Sequence, residues 1–217
     1  MLLYCDNVSS MTDEQFDLFF AMMPPERQEK TMRYVRAEDR RQSVAAFALL
    51  GFALHLNGYK IGEYELAVAD NGKPYFKNLL LHFSLSHTAG AVACTVSQSE
   101  TGVDVQRKRE DYRRVIRRVC CENEIELISS SQNPTDTFTA LWSLKESYVK
   151  CIGTSVFDSV SDYDFSSVAG LGSGELYGYH FSVLDIGESM LASCSSSPET
   201  EPKSVSIGQL EAFCQNI

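Results

Sequence analysis

Two short segments carry residues that could do chemistry together. Gly102-Val103-Asp104-Val105-Gln106 is β-branched at alternate positions, which favours a strand. Period two then sets Val103 and Val105 on one face and Asp104 and Gln106 on the other. Further along, Trp142-Ser143-Leu144-Lys145-Glu146-Ser147-Tyr148-Val149-Lys150 suits a helix. On it Trp142, Glu146 and Lys150 recur every fourth residue and share one side. Brought against the polar face of the strand, that side would assemble two carboxylates, a carboxamide and a lysine. Oxygen ligands of this kind suit a hard divalent cation, and the lysine suits a phosphate held beside it. The plainer alternative is a surface Glu146–Lys150 ion pair, stabilising by only roughly 0.2–0.5 kcal/mol.

The rest of the chain must position these two segments. The pattern predicts a helix over Met11–Met23, closed by Pro24-Pro25, and a long one over Glu38–Leu56, ended by Asn57-Gly58. Tyr64–Ala69 alternates and then meets Asp70-Asn71-Gly72, a strand into a turn. Leu79–Ser84 and Ala91–Ser97 read as strands flanking a Ser86-His87-Thr88-Ala89-Gly90 loop. Arg113–Leu127 reads as a helix, Ser129–Pro134 as a polar loop and Thr137–Cys151 as the helix bearing Glu146. Leu176–Leu184 and Met190–Ser193 are strand-like, and Ser195–Pro202 reads as a turn or linker. His82-Phe83-Ser84-Leu85 recurs as His180-Phe181-Ser182-Val183, 98 residues later. Chance is one reading of this echo. The other is a duplicated α+β unit, two similar halves about a pseudo-twofold axis, with Asp104 and Glu146 near the seam where pockets form.

Composition narrows the class. The 217 residues suffice for one domain or two small ones with a real core. The longest apolar run, Val44–Leu54, is too short to span a bilayer, and no secretory signal pattern opens the chain. Seven cysteines, none in a C-x-x-C pair, point to a reduced cytoplasmic compartment, with the adjacent Cys120-Cys121 a poor chelating pair. Of the 19 Lys and Arg, 18 lie in residues 1–150 against 20 acids, and residues 151–217 hold one lysine against nine acids. Groups for a polyanionic ligand therefore sit in the first two thirds, while the net charge of −10 argues against non-specific nucleic-acid binding.

The two segments resemble the paired signatures of the Sfp-type (surfactin-type) 4'-phosphopantetheinyl transferases. Three further matches follow in family order: Pro25-Glu26-Arg27-Gln28-Glu29-Lys30 is similar to the N-terminal basic motif, Asn71-Gly72-Lys73-Pro74 to a G-K-P turn, and Phe83-Ser84-Leu85-Ser86-His87-Thr88 to a strand-end motif. The resemblance implies an α+β fold of two similar subdomains. Residues 1–101 would be the phosphoadenosine half and residues 102–217 the metal and signature-helix half, with the active site at the seam. It implies transfer of the 4'-phosphopantetheine arm of coenzyme A to a serine of an acyl or peptidyl carrier protein, by a cytoplasmic monomer engaging neither nucleic acid nor membrane. Asp104, Gln106 and Glu146 would hold Mg²⁺, or Mn²⁺ in its place. Asp104, Glu146 and Lys150 would be catalytic. Arg27, Lys30, Gly72, Lys73, Pro74, Ser86, His87, Lys145 and Lys150 would bind coenzyme A, with Lys145 on the pyrophosphate or on a backbone carbonyl.

Other readings stand beside this one. A Ser86/His87 hydrolase fails, because strand neighbours point to opposite faces and no G-x-S-x-G elbow is present. A coenzyme A-binding module without catalysis is the alternative function, against which Asp104, Glu146 and Lys150 speak. Seven cations crowd into Arg107–Arg118, either as a solvated helical face or as a docking face for an acidic carrier helix.

Overall fold

The computed structural model describes residues 1–154, 160–198 and 201–216. Strand β1 (Leu2–Cys5) leads into helix α1 (Asp13–Ala21), which Thr12 and Gln15 cap reciprocally. Pro25 opens α2 (Pro25–Met32) where its missing N–H costs nothing. Helix α3 (Ala37–Leu56) follows, buried almost all round from Gln42 to Leu54. Strands β2 (Leu66–Val68) and β3 (Pro74–Phe76) form a hairpin of their own. Then come β4 (His82–Thr88), β5 (Ala91–Ser97) and β6 (Thr101–Arg107). Helices α4 (Ile116–Val119) and α5 (Glu122–Ser130) precede α6 (Pro134–Ile152), which begins on a proline and ends at the left-handed Gly153. The chain closes with α7 (Ser166–Leu171), β7 (Ser173–Leu176), β8 (Tyr179–Asp185), β9 (Ser189–Ser195), β10 (Lys203–Ser204) and α8 (Ile207–Cys214). No helix among the described residues is long and apolar enough to cross a membrane.

The fold is α+β, as expected. One four-stranded sheet runs β10-β1-β5-β4 and carries α3; the other runs β6-β9-β8-β7 and carries α6. The echo in the sequence is a repeat in the structure. His82 pairs with Ser97 across β4 and β5, and His180 pairs with Ser195 across β8 and β9, so both strands recur at the same spacing of 98 residues. Phe83 and Phe181 each point into the core of their own unit. The C-terminal residues cross the expected boundary at 101/102. Val205, Ile207, Leu210 and Phe213 return to pack in the first core.

Several elements differ from the sequence expectation, among them the strand read over Leu176–Leu184, which turns at Tyr177-Gly178 between β7 and β8. The strand ending at Ser84 instead continues through Ser86 and His87 to Thr88, because all seven of its residues pair with β5. The single helix over Arg113–Leu127 is broken at Cys120-Cys121. There Cys121 caps α5, its N–H donating to Glu124. The arginines before that break therefore do not lie on one regular helix. Helices α2 and α8 were not expected as such. Of the Ser195–Pro202 turn, residues 199 and 200 lie outside the described residues.

The two sheets meet edge to edge at β4 and β6. Leu2, Ala91 and Ala93 from one sheet and Val103, Val105 and Leu191 from the other form a small apolar core behind this seam. In front of it, hydroxyls at every second residue of β4 reach β6. Val103 N–H donates to Ser84 Oγ (3.1 Å), Ser86 Oγ donates to Asp104 (2.8 Å), and Arg107 N–H donates to Thr88 Oγ1 (3.2 Å). Period two thus puts Val103 and Val105 inward, as read from the sequence, and leaves Asp104 on the seam.

Candidate active site

Strand β6 lies unusually close to α6, and Gly102 is the reason. A Cβ at that position would stand 2.0 Å from the carbonyl oxygen of Ser147 and 2.5 Å from the amide nitrogen of Cys151. The close approach brings Asp104 against the α6 side that carries Glu146 and Lys150. Lys150 Nζ donates to Asp104 Oδ1 (2.7 Å) and to Ser86 Oγ (3.0 Å), and Ser86 donates to the same carboxylate oxygen. The other oxygen, Oδ2, is buried with no hydrogen-bond partner. Such an atom is costly to leave unpaired.

Glu146 completes the acidic group. Burial and then the charge of Asp104 push its carboxyl up to about 7, with Lys150 pulling the other way. Two neighbouring carboxylates, one with an orphaned oxygen, fit a hard divalent cation. Glu146 and Lys150 also line a cleft of about 360 Å³ that runs across the seam. Its far walls carry Arg27 and Lys30 from α2, Gly72, Lys73 and Pro74 from the β2–β3 hairpin, and His87 from β4. Burial lowers the pKa of Arg27, whose Nε is buried without a partner. Burial also lowers the pKa of Lys73. Burial, then Lys150 and Arg27, lower the pKa of His87 as well. Its ring still opens to the cleft water, which moderates the effect of burial. A phosphate between these groups would relieve all three, since it restores the charge partner that burial withholds.

Residues 100–182 match the model of the 4'-phosphopantetheinyl transferase superfamily. That segment belongs to the superfamily. The chain is 30% identical over 152 residues to the 4'-phosphopantetheinyl transferase gsp of Aneurinibacillus migulanus, covering 68% of this chain and 63% of the relative. It is 25% identical over 145 residues to the 4'-phosphopantetheinyl transferase Sfp of Bacillus subtilis (strain 168), covering 64% of each. A third relative is the L-aminoadipate-semialdehyde dehydrogenase-phosphopantetheinyl transferase of Saccharomyces cerevisiae, 26% identical over 168 residues, with 71% of this chain and 61% of the relative covered. The chain thus spans a little under two thirds of the length of these curated relatives.

Of the twelve residues expected in the site, eight line one cleft and four, Asp104, Ser86, Gln106 and Lys145, do not, although Asp104 is bonded to the cleft residue Lys150. Lys145 takes the backbone-carbonyl alternative and not the coenzyme A contact. It is 1% exposed and turned away from the cleft, paired with the buried Glu124 (2.9 Å) and donating to the carbonyls of Val160 and Tyr163. A helix position one residue before Glu146 points about 100° away from it, so Lys145 cannot share its face. Ser86 holds Asp104 and Lys150 rather than lining the cleft. Gln106, opposite Trp142 one turn before Glu146, lines a neighbouring cleft of about 230 Å³ with Arg107, Arg109, Tyr112 and Phe138. A second acidic group, Cys121, Glu124 and Asp164, lies in the α5 region. There the Lys145 ammonium already neutralises Glu124, so this group is the poorer metal candidate.

Sequence reasoning missed Gln42, buried on α3 and 3.1 Å from His87 Nδ1. It also missed Asp136 and Asp185, which hold Lys108 at the end of β6 (3.2 and 2.8 Å). A buried glutamine in the middle of an apolar helix was the available signal.

Proposed function

We propose that the chain transfers the 4'-phosphopantetheine arm of coenzyme A to a serine hydroxyl of an acyl or peptidyl carrier protein, releasing adenosine 3',5'-bisphosphate. One observation carries this reading: a single cleft has Glu146 and Lys150 at one wall, with Asp104 bonded to that lysine, and Arg27, Lys30, Lys73 and His87 at the others. Few ligands besides a nucleotide pyrophosphate with a further phosphate call for both. Residues 1–101 supply the phosphate-reading side, and the segment from 102 supplies the metal side, with the C-terminal residues serving as a brace for the first unit.

Asp104 and Glu146 would hold Mg²⁺, or Mn²⁺, and Gln106, two residues along the same strand face, would add an amide oxygen only by turning from the neighbouring cleft it lines. When bound, the cation offsets charge on the pyrophosphate. Arg27, Lys30, Lys73 and His87 fix the phosphoadenosine end, with Gly72 and Pro74 shaping the wall. Lys150, held by Asp104 and Ser86, can share its third proton with a phosphate oxygen. The serine oxygen attacks the phosphorus of the arm, the bond to the bridging oxygen breaks, and the nucleotide leaves with the electron pair. Glu146 takes the serine proton as general base. The chemistry asks for position and charge rather than covalent work.

The cleft lined by Arg107, Arg109, Arg114 and Trp142 adjoins the metal side and offers cations to an acidic carrier. Free cysteines at all seven positions support a cytoplasmic setting. The test is mass spectrometry of a panel of acyl and peptidyl carriers incubated with the chain, coenzyme A and Mg²⁺. A carrier that gains the mass of the arm is the expected result. A panel without any gain, with coenzyme A still bound, would leave a binding module and overturn the transfer reading.

A further inference from the structure

The β2–β3 hairpin stands apart from both sheets. Among the described residues its two strands pair only with each other. Its root is held by Phe76, packed against Tyr64 and Phe83 (5.6 and 4.5 Å between ring centres), and by Asn78, which bridges Glu63 and Glu65. Its tip crosses the cleft to the end of α6. Lys73 Nζ donates to the carbonyl of Cys151 (2.8 Å), and Asn71 Nδ2 donates to the carbonyl of Gly153 (2.7 Å). These last-turn carbonyls lack helical partners and carry the negative end of the helix dipole, so both donors are well placed. The contact is close: a Cβ on Gly153, itself left-handed at φ +73°, would come within 2.9 Å of Asn71 Nδ2.

The two donors differ in what a ligand would ask of them. Lys73 lines the cleft and carries a charge that a phosphate would draw away from the carbonyl. Asn71 is neutral and has no reason to change partner. Its Oδ1 meanwhile accepts from Lys73 N–H (3.1 Å), which fixes the backbone from which the lysine side chain swings. We infer that Asn71 is a positioning residue that keeps the hairpin latched across the cleft to the end of α6 while Lys73 exchanges its carbonyl for a phosphate of the nucleotide. This rests on the reading that the cleft holds coenzyme A. It assigns to Asn71 the spacing between the cleft's two walls, and to the cross-link rather than to the turn the tightness of nucleotide binding.

The two bonds of Asn71 can be separated. Asn71→Ala removes both, and Asn71→Ser keeps a short acceptor for Lys73 N–H but cannot reach Gly153. Calorimetric titration of the full chain in Mg²⁺ with coenzyme A, and with 4'-phosphopantetheine, which lacks the nucleotide, reads the difference. Both variants should bind coenzyme A about tenfold more weakly, bind 4'-phosphopantetheine as the unaltered chain does, and melt within about 2 °C of it. In carrier modification the loss should fall on KM for coenzyme A, with kcat at saturation retained. Wild-type affinity in Asn71→Ser would mean that the turn alone matters and would overturn the latch, as would wild-type affinity in Asn71→Ala or an equal loss for both ligands. If the unaltered chain binds coenzyme A but modifies no carrier, the transfer reading falls and the latch stands. If it binds no coenzyme A, both fall.

Discussion

Asp104 gives one carboxylate oxygen to Lys150, 2.7 Å away, and keeps the other buried without a partner. The lysine offsets charge on one side, and the orphaned oxygen leaves room for a second cation on the other. Glu146 stands close enough that the charge of Asp104 helps to raise its pKa. Asp104→Asn and Glu146→Gln should therefore each lower carrier modification at least about tenfold, roughly 1.4 kcal/mol of transition-state stabilisation. Near-normal turnover of both variants at saturating Mg²⁺ would remove these two residues from the metal site.

The same pair sets a pH dependence of stability. Glu146 titrates at about 7 in the folded chain against an ordinary value of 4.5. Between those values the folded chain holds a proton that the unfolded chain has released. Stability therefore falls as pH rises through this window and levels off above it. The loss is at most about 3 kcal/mol, since each pH unit of difference is worth about 1.36 kcal/mol. Urea denaturation without divalent cations at pH 5 and pH 7.5 should show this decline in the unaltered chain. Glu146→Gln should lose less over the same interval. Parallel curves would mean that Glu146 ionises normally.

Arg27, Lys73 and His87 surround one end of the cleft with donors that burial has left short of negative partners. Arg27→Ala, Lys73→Ala and His87→Ala should weaken binding of coenzyme A more than binding of its 3'-dephospho form. Calorimetry with both ligands measures this directly. Equal losses would place the terminal phosphate elsewhere.

Gly102 shows how a site can depend on a missing side chain. Its Cβ would fall 2.0 Å from a backbone oxygen of α6, which has no flexible end to move aside. Gly102→Ala should cost about 1–3 kcal/mol or more, a drop in melting temperature of roughly 5 °C. It should also lower turnover, because Asp104 rides on the same strand. A variant that melts normally would mean that β6 and α6 part easily.

Much of this arrangement was legible because it follows short periods. Val103 and Val105 inward with Asp104 on the seam, and Glu146 and Lys150 on one side of a helix, need only the repeats of a strand and a helix. Helix α3 was legible from its apolar run. Helix α2 was not, because Pro25–Met32 is mostly charged and lacks an apolar stripe. The break at Cys121 was hidden because cysteine is not a usual capping residue. Gln42 and Glu124 stayed silent for another reason. Their partners, His87 and Lys145, lie far away in sequence, and only the packing of α3 on β4 and of α5 on α6 brings them together.

Lys145 gives the sharpest test of that last point. The resemblance left it on the pyrophosphate or on a backbone carbonyl, and the structure gives the second: it donates to the carbonyls of Val160 and Tyr163 and is buried with Glu124, whose two oxygens also accept the amide hydrogens of Cys121 and Phe165. Removing the lysine leaves a fully buried carboxylate without its cation, which typically costs 3–5 kcal/mol. Lys145→Met should therefore lower the urea midpoint strongly. Under conditions where the variant remains folded, its KM for coenzyme A should stay within about twofold of the original, less than 0.5 kcal/mol. The reverse pattern, a normal urea midpoint with a raised KM, would return Lys145 to the cleft and make its buried pairing a minor state.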